Sequence, residues 1–551
     1  MAGGFESVVG SVREKIMNIL GIHSALNQFN HDPGAALICE NIVKAVCEEE
    51  RFNRVKSSRG YFPLWSIRNV LKEGGLSIKD IDKVYTTGVT AREKLEPHLV
   101  SFFDHYFGFV PEIVFVDHQD AHLASAFYCS GFDESMCLSY DGIGDKSSGK
   151  LAVGNGRDIE VLETIDISQS LGNFYSAMTA YLGFKPVEDE YKVMGLASYG
   201  EESVDLSEMV SVSEDSFTIN SSFFRDLQSI ISNDQPLYSH KLVELLGPPR
   251  LNGGEINESH IKVAYSSQKA LEQCILALVT RLHQKTGLRK LCVAGGVGLN
   301  CSANSMLYKL PFLDRIFIQP ASSDRGLPLG SALIGQLEYK EKFVVPDHIF
   351  LGPSYEDRDY LDALKIARVP FKKIDSVESH AAQMLSEGRI IGWFQGRSEC
   401  GPRALGNRSI LADPRSATMK DEINLRVKFR EEFRPFAPAV LEEEAPAIFE
   451  MEYPSPFMTI TFKVRPGWVN QLAAITHIDG TARVQTVSSV QNERFYNLIR
   501  EFSKLSSVPV VLNTSFNARG EPIVETPANA LATFFSTGLD TLYLGNFVVT
   551  K

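Results

Sequence analysis

The chain has 551 residues, 44% of them hydrophobic and 22% charged, with a net charge of −13. That length exceeds what one hydrophobic core serves and implies two or three domains. The acidic balance argues against a nucleic-acid partner, and no stretch approaches the ~20 apolar residues of a membrane span.

The N-terminus "MAGGFESVVGSVREKIMNILGIH" lacks the pattern of a signal peptide, so a cytoplasmic location is expected. Residues 1–16 read as an extension, with a weak amphipathic helix over 5–20, and "MNILGI" (17–22) as a short strand. "HDPGAALICENIVKAVCEEER" then reads as a hairpin, "VDHQDAHLASAFYCSGF" as a helix, and "SMCLSYDGIGD" as a buried strand ending in a Gly/Asp turn. Residues 201–260 are polar and irregular, an expected insertion. A helix over 261–285 and the strand-plus-loop "KLCVAGGVGLNCSANSML" follow. Pro and Gly punctuation in 344–362 marks a domain junction, which gives domains 1–350 and 351–551. Eight cysteines carry no C-x-x-C pair, which speaks against a zinc ribbon or a disulfide framework, and no His lies beside Cys400 in sequence to make it a nucleophile.

His118 and His122 fall on one helical face, one turn apart. Alone they suit one satisfied histidine and one surface histidine better than a metal site. Asp141 and Asp324, each at a strand end, raise a metal reading. Two imidazoles and two carboxylates suit iron, manganese or zinc better than magnesium or calcium. The turn "YDGIGD", with Gly142 and Gly144, would offer amides to an anion and carboxylates to a cation. "AGGVGLN", with Gly295, Gly296, Gly298 and Asn300, suits a nucleotide packing on bare backbone. It matches neither the Rossmann fingerprint nor a P-loop.

Between 397 and 434 the charge balance reverses. Arg397, Arg403, Arg408, Arg415, Lys420, Arg426, Lys428, Arg430 and Arg434 outnumber six acids, in a chain with 55 basic and 68 acidic residues. Such a run is often a solvated, ion-paired face. Here the cations sit among Gly, Pro and Phe, which points to a concave pocket for a small phosphorylated metabolite. Arg483, Asn513, Ser515 and Asn517 extend the set.

"HDPGAAL", "VDHQDAHLASAF", "YDGIGD", "YKVMGLASYG", "AGGVGLNCSAN", "GWFQGRSECGPRALGNRSILADPR", "KFREEFRPFAPAVL" and "LNTSFNARGEPIVETP" together resemble, in order, the NodU/CmcH-type O-carbamoyltransferases, from Met17 onward. The resemblance implies an α/β fold. A duplicated ribonuclease-H-like domain of the actin/sugar-kinase/heat-shock ATPase type, similar to TsaD, precedes a YrdC-like α/β twisted-sheet domain. It implies a carbamate ester made from carbamoyl phosphate, ATP and a small-molecule alcohol, of natural-product type, through carbamoyl-adenylate.

His118, His122, Asp141 and Asp324 match the family's metal ligands, iron(II) first and manganese or zinc next, with magnesium accompanying ATP. His31 matches the base that takes the acceptor's proton. Lys56 matches a position near the nucleotide phosphates. Arg403, Lys428, Arg434, Arg483, Asn513 and Ser515 match the carbamoyl phosphate pocket, with Arg397 as a weaker addition. Ser198, Ser398 and Cys400 depart from the family's usual residues without removing a charged or ligating group. The alternative is a tRNA threonylcarbamoylation enzyme, against which the acidic charge speaks. No nucleic acid or membrane partner is expected, and a monomer or a homodimer is. The insertion 201–260 and loops around 98–112 are expected to shape the acceptor pocket.

Overall fold

The structure is a computed structural model that describes residues 17–25, 30–225, 236–339 and 342–551. The extension 1–16 and most of its expected helix lie outside the described residues; Ile19 and Leu20, at that helix's expected end, are in a strand.

The first sheet comprises β1 (Ile19–His23), β2 (Gly34–Cys39), β3 (Ile42–Glu48), β4 (Lys83–Thr87) and β5 (Glu112–Val116), in the order β3-β2-β1-β4-β5. β1, β2 and β3 form an antiparallel meander, and β4 and β5 continue it in parallel. The second sheet comprises β6 (Glu134–Gly144), β7 (Ser147–Asn155), β8 (Asp158–Asp166), β11 (Lys290–Ala294) and β12 (Arg315–Ile318), in the order β12-β11-β6-β7-β8. It repeats the same plan: three antiparallel strands, then two parallel ones. This repetition is the duplicated ribonuclease-H-like topology.

Two helices, His118–Ser130 and Leu327–Leu337, fill the space between these sheets; the first packs on β6, β7 and β11, the second on β1, β2 and β4. They touch each other closely because a Cβ at Gly330 would stand 1.9 Å from the Ala121 carbonyl oxygen. The expected insertion contains the small hairpin β9 (Val210–Val212) and β10 (Phe217–Ile219) and a short helix, His240–Leu246. The helix expected over 261–285 runs from Glu258 to Thr286, capped by Asn257.

The third sheet has eight strands, in the order β13-β22-β21-β14-β15-β20-β16-β19. They are β13 (Lys372–Lys373), β14 (Ile391–Phe394), β15 (Arg408–Ala412), β16 (Ala437–Leu441), β19 (Gln485–Val487), β20 (Val510–Ser515), β21 (Thr541–Leu544) and β22 (Phe547–Thr550), with β17 (Thr461–Lys463) and β18 (Thr481–Arg483) paired beside them. Helices Val377–Ser386 and Glu493–Ser506 cover one face; Trp393, Phe495 and Phe502 are in that core. Among the described residues between Leu337 and Asp357 there is no helix; the segment makes an isolated bridge from Val344 to Ile42, and Val46 N donates to Leu351 O (3.0 Å). The segment thus runs along the edge strand β3 and draws the third sheet toward the first.

Candidate functional site

The Asp117 carboxylate starts the helix His118–Ser130 by accepting the amides of Gln119 (2.9 Å) and Asp120 (3.1 Å), an N-cap. His118 and His122 therefore occupy its first turns, and both are buried, which removes the surface-histidine alternative. Asp141 comes from the end of β6, and Asp324 from the loop after β12. The ligating atoms of these four residues lie within 4.8 Å of one another. His118 Nε2 is 3.2 Å from Asp141 Oδ2 and 3.5 Å from Asp324 Oδ1; His122 Nε2 is 3.3 Å and 3.8 Å from the same two oxygens. Two imidazole nitrogens and two carboxylate oxygens at this spacing fit one divalent transition-metal ion.

The backbone around the cluster leaves no spare room. A Cβ at Gly144 would stand 2.2 Å from the His118 ring, and one at Gly296 would stand 2.8 Å from Asp141 Oδ1, which also accepts the Gly296 amide (3.1 Å). Burial alone would raise the Asp141 carboxyl, but its contacts with His118 and His122 outweigh burial and hold it well below the usual range. Burial would likewise lower His118, yet Asp324 and Asp141 raise it to about 9.

His31 faces the same space. Its Nδ1 is 3.2 Å from Asp32 Oδ2 and 3.8 Å from Asp324 Oδ2. Burial opposes its protonation, but the carboxylates of Asp324 and Asp32 prevail and raise it to about 9. The pairing with Asp32 fixes the ring and leaves Nε2 as the nitrogen available to a ligand.

One cavity of about 1480 Å³ joins this cluster to the cation-rich segment. It exceeds the ~300–1,000 Å³ of a single small-ligand pocket. His31, Lys56, His118, Asp141 and Asp324 line it from one side, and Arg403, Arg430, Arg434, Arg483, Asn513 and Ser515 from the other. Arg434 lies over the Tyr191 ring (4.5 Å) and Arg430 over the Phe436 ring (4.3 Å), which fixes both guanidinium planes. Arg403 has no hydrogen bond or ion pair among the described residues. Burial first, and then the neighbouring Arg483 and Arg434, push it below its ordinary value. Arg483 Nε and Asn513 Oδ1 are buried without a hydrogen-bond partner. An unpaired donor and an unpaired acceptor in one pocket are an expensive arrangement in the absence of a ligand.

Several expected residues fall elsewhere. Arg397 spends its guanidinium on the carbonyls of Gly352 (2.8 Å), Lys44 (2.8 Å) and Leu351 (2.7 Å), outside the cavity lining. Lys428 sits behind the lining, where its ammonium binds Asn517 O (3.0 Å), Asn517 Oδ1 (2.8 Å) and Ser515 Oγ (3.3 Å); it braces the loop. Burial, with Arg430 and Arg434 after it, holds Lys428 well below its ordinary value.

Gly295 and Gly298 are packing positions, where a Cβ would meet Tyr140 O at 2.2 Å and Ser322 Oγ at 2.4 Å. Gly142, Gly144, Gly296 and Asn300 do line the cavity, although the Asn300 side chain is already bonded to Gln268 and to the Ala303 amide. His122 lies one layer behind His118. Asp145, expected as a possible cation holder, accepts instead from the amides of Gly88, Thr90 and His118.

Among the described residues, none of 201–260 lines the cavity. The segment 87–95 and His98 do, and 98–107 is helix rather than loop. Arg430, named in the cation run, lines the cavity, and so do Asp32 and Arg325, which the sequence did not single out. His23, 3.5 Å from Asp324, carries no motif.

Family models described as carbamoyltransferase N-terminus and carbamoyltransferase C-terminus match residues 88–333 and 382–551. Nodulation protein NolNO of Sinorhizobium fredii is 38% identical, over 95% of this chain and 80% of its own. Nodulation protein NolO of Bradyrhizobium diazoefficiens is 40% identical over 79% of each chain, and an uncharacterised protein of Synechocystis is 36% identical over 97% of each. Among solved structures, HypF of T. kodakarensis is similar over 60% of this chain and 48% of its own, at 15% identity and a TM-score of 0.36. No helix among the described residues is long and apolar enough to cross a membrane.

Proposed function

The chain belongs to the carbamoyltransferase family, and from that premise we propose that it makes a carbamate ester on a hydroxyl of a small-molecule acceptor, using carbamoyl phosphate and ATP. The observation that carries this reading is the single cavity with a cation-lined end and a metal-suited end. An enzyme that only bound a phosphorylated metabolite would need the first end alone.

In this reading carbamoyl phosphate occupies the arginine end. Its phosphate oxygens take donors from Arg403, Arg434 and Arg483, including the otherwise unpaired Arg483 Nε. Its amide group donates to the unpaired Asn513 Oδ1. Water releases phosphate and leaves carbamate. A carbamate oxygen then attacks the α-phosphorus of ATP, displacing pyrophosphate and forming carbamoyl-adenylate. The acceptor oxygen attacks the carbamoyl carbon and AMP departs; the acceptor's proton passes to His31 in its neutral form, which a cation held beside Asp324 would favour by offsetting the carboxylate charge that raises the ring.

Asp32 orients His31 for that task through Nδ1. His118, His122, Asp141 and Asp324 would hold a divalent cation, iron(II) first and manganese or zinc next. When bound, such a cation supplies positive charge that offsets charge on the phosphate of the departing AMP. Lys56, which lines the same cavity, would add its charge to the nucleotide phosphates.

The two ends line one cavity, so the adenylate can pass from one to the other without leaving the protein. The test is to supply the protein with carbamoyl phosphate, ATP and a panel of metabolite alcohols, and to read the mass gain of one carbamoyl group. An ester that forms only with both ATP and carbamoyl phosphate supports the reading. Absence of any such product, with wild type and Arg403→Gln alike in AMP formation, refutes it.

A further inference from the structure

Glu48 ends β3 and is buried, yet it is not among the residues that line the cavity. Its Oε1 accepts the backbone amide of Gly401, and its Oε2 lies 3.3 Å from Arg51 Nε and 3.3 Å from Arg325 Nε. Arg51, also outside the lining, donates to the carbonyls of Gly401 (2.8 Å) and Glu399 (3.3 Å). Gly401 is therefore gripped at both its amide and its carbonyl. Its φ of +94° suits glycine, and a Cβ there would stand 2.9 Å from the Pro320 carbonyl oxygen, so the loop is wedged against the segment that leads to Asp324. Arg403 lies two residues further on.

From the same carboxylate a second branch runs the other way. Arg325 NH2 is ion-paired with Asp32 Oδ1 at 2.8 Å and donates to Glu50 Oε2 (3.2 Å), and Asp32 Oδ2 meets His31 Nδ1 at 3.2 Å. One buried glutamate thus ties the loop of the anion pocket to the pair that faces the acceptor.

We propose that Glu48 is a positioning residue for carbamoyl transfer: by gripping Gly401 and Arg325 it fixes the distance between the Arg403 loop and the His31–Asp32 pair. This rests on the reading that Arg403 holds carbamoyl phosphate and that His31 takes the acceptor's proton. Glu48 touches neither ligand, so its effect must pass through the loop.

The test uses the full chain and the carbamoyl phosphate-dependent release of AMP from ATP. Glu48→Gln keeps an oxygen for the Gly401 amide but removes the charge that faces two guanidiniums. The expected result is a KM for carbamoyl phosphate raised about tenfold, equivalent to about 1.4 kcal/mol. In the Glu48→Gln background, Arg403→Lys is expected to cost far less than it does alone, because the loop is already misplaced.

A merely structural role would lower the melting temperature and leave the two effects multiplicative. Multiplicative effects within twofold, or an unchanged KM in folded Glu48→Gln, would overturn the proposal. Should Glu48→Gln not fold, Arg51→Lys supports the same cycle, since one ammonium cannot reproduce the fork that meets Glu48 through Nε and the two carbonyls through NH2. Wild type that forms no carbamoyl phosphate-dependent AMP overturns the functional reading itself, and this inference with it. Wild-type activity with multiplicative variants overturns this inference alone.

Discussion

Replacing Arg403 with glutamine separates a ligand-binding arginine from a structural one. Arg403 has no hydrogen bond or ion pair to lose among the described residues, and Arg483 and Arg434 press on it with like charge. Removing its charge therefore leaves the ligand-free protein as stable as wild type, or more stable. Binding an anion relieves the same repulsion, so inorganic phosphate should stabilise the wild type. At a hundred times its dissociation constant, a ligand adds about 2.7 kcal/mol. At about 2.1 cal/mol/K per residue, a 551-residue chain that unfolds as one unit shifts its midpoint by roughly 2 °C. Losing a charge-assisted contact worth about 1.5–3 kcal/mol weakens binding some ten- to hundredfold. At the same phosphate concentration the variant then gains only about 0.4–1.5 kcal/mol. Thermal unfolding with and without phosphate, at matched ionic strength, reads both quantities. A variant whose midpoint falls by several degrees without phosphate, or whose phosphate shift equals that of wild type, would refute the assignment of Arg403 to an anion pocket.

Two further outcomes follow from the geometry. Gly144→Ala forces a Cβ to 2.2 Å from the His118 ring, whereas the Cβ of Gly142→Ala meets only Asn173 Oδ1, at 3.5 Å. Metal content by mass spectrometry should fall at least tenfold in the first variant and hold in the second; equal contents would contradict the metal assignment. His477 is lowered to about 4, with burial as the main cause. The unfolded chain takes this proton below about 6.5 and the folded chain refuses it until about 4, so stability falls as pH falls through that window. The loss between pH 7 and pH 5 is about 2 kcal/mol by that linkage. Urea unfolding at the two pH values should show this loss in wild type and not in His477→Gln, and a variant that loses as much as wild type counts against it.

Much of this site is local enough to be read from sequence. The H-x-x-x-H spacing, the strand-end position of Asp141 and the glycines of "YDGIGD" are short-range features. The helix cap at Asp117 and the close approach at Gly144 show how each is used. The duplicated sheet is legible only through strand order, since β1–β5 and the strands β6–β8, β11 and β12 share a topology rather than a repeated sequence.

What escaped the sequence depends on long-range pairing. Arg397 and Lys428 sit in a cation run that points to ligand binding. Arg397 meets backbone carbonyls, and Lys428 a backbone carbonyl and side-chain oxygens, all from distant segments that only the fold brings within reach. Gly295 and Gly298 look like part of a nucleotide loop but make room for the strand and loop beneath them. The insertion 201–260 carries the irregular composition of a binding loop, yet its described residues lie away from the cavity. Glu48 offered no signal at all: an acidic residue before "EERF" acquires its meaning from Gly401, more than three hundred positions away.

The central claim is that one cavity carries the carbamoyl group from its phosphate donor to the acceptor. Isotopic labelling tests it directly. Carbamoyl phosphate labelled at carbon is supplied with ATP, an alcohol that scores in the acceptor screen, and an excess of unlabelled bicarbonate and ammonium, which form carbamate in solution. The account predicts that the ester retains the full label. An ester diluted toward the unlabelled pool would show that carbamate leaves the protein between steps, and would contradict it.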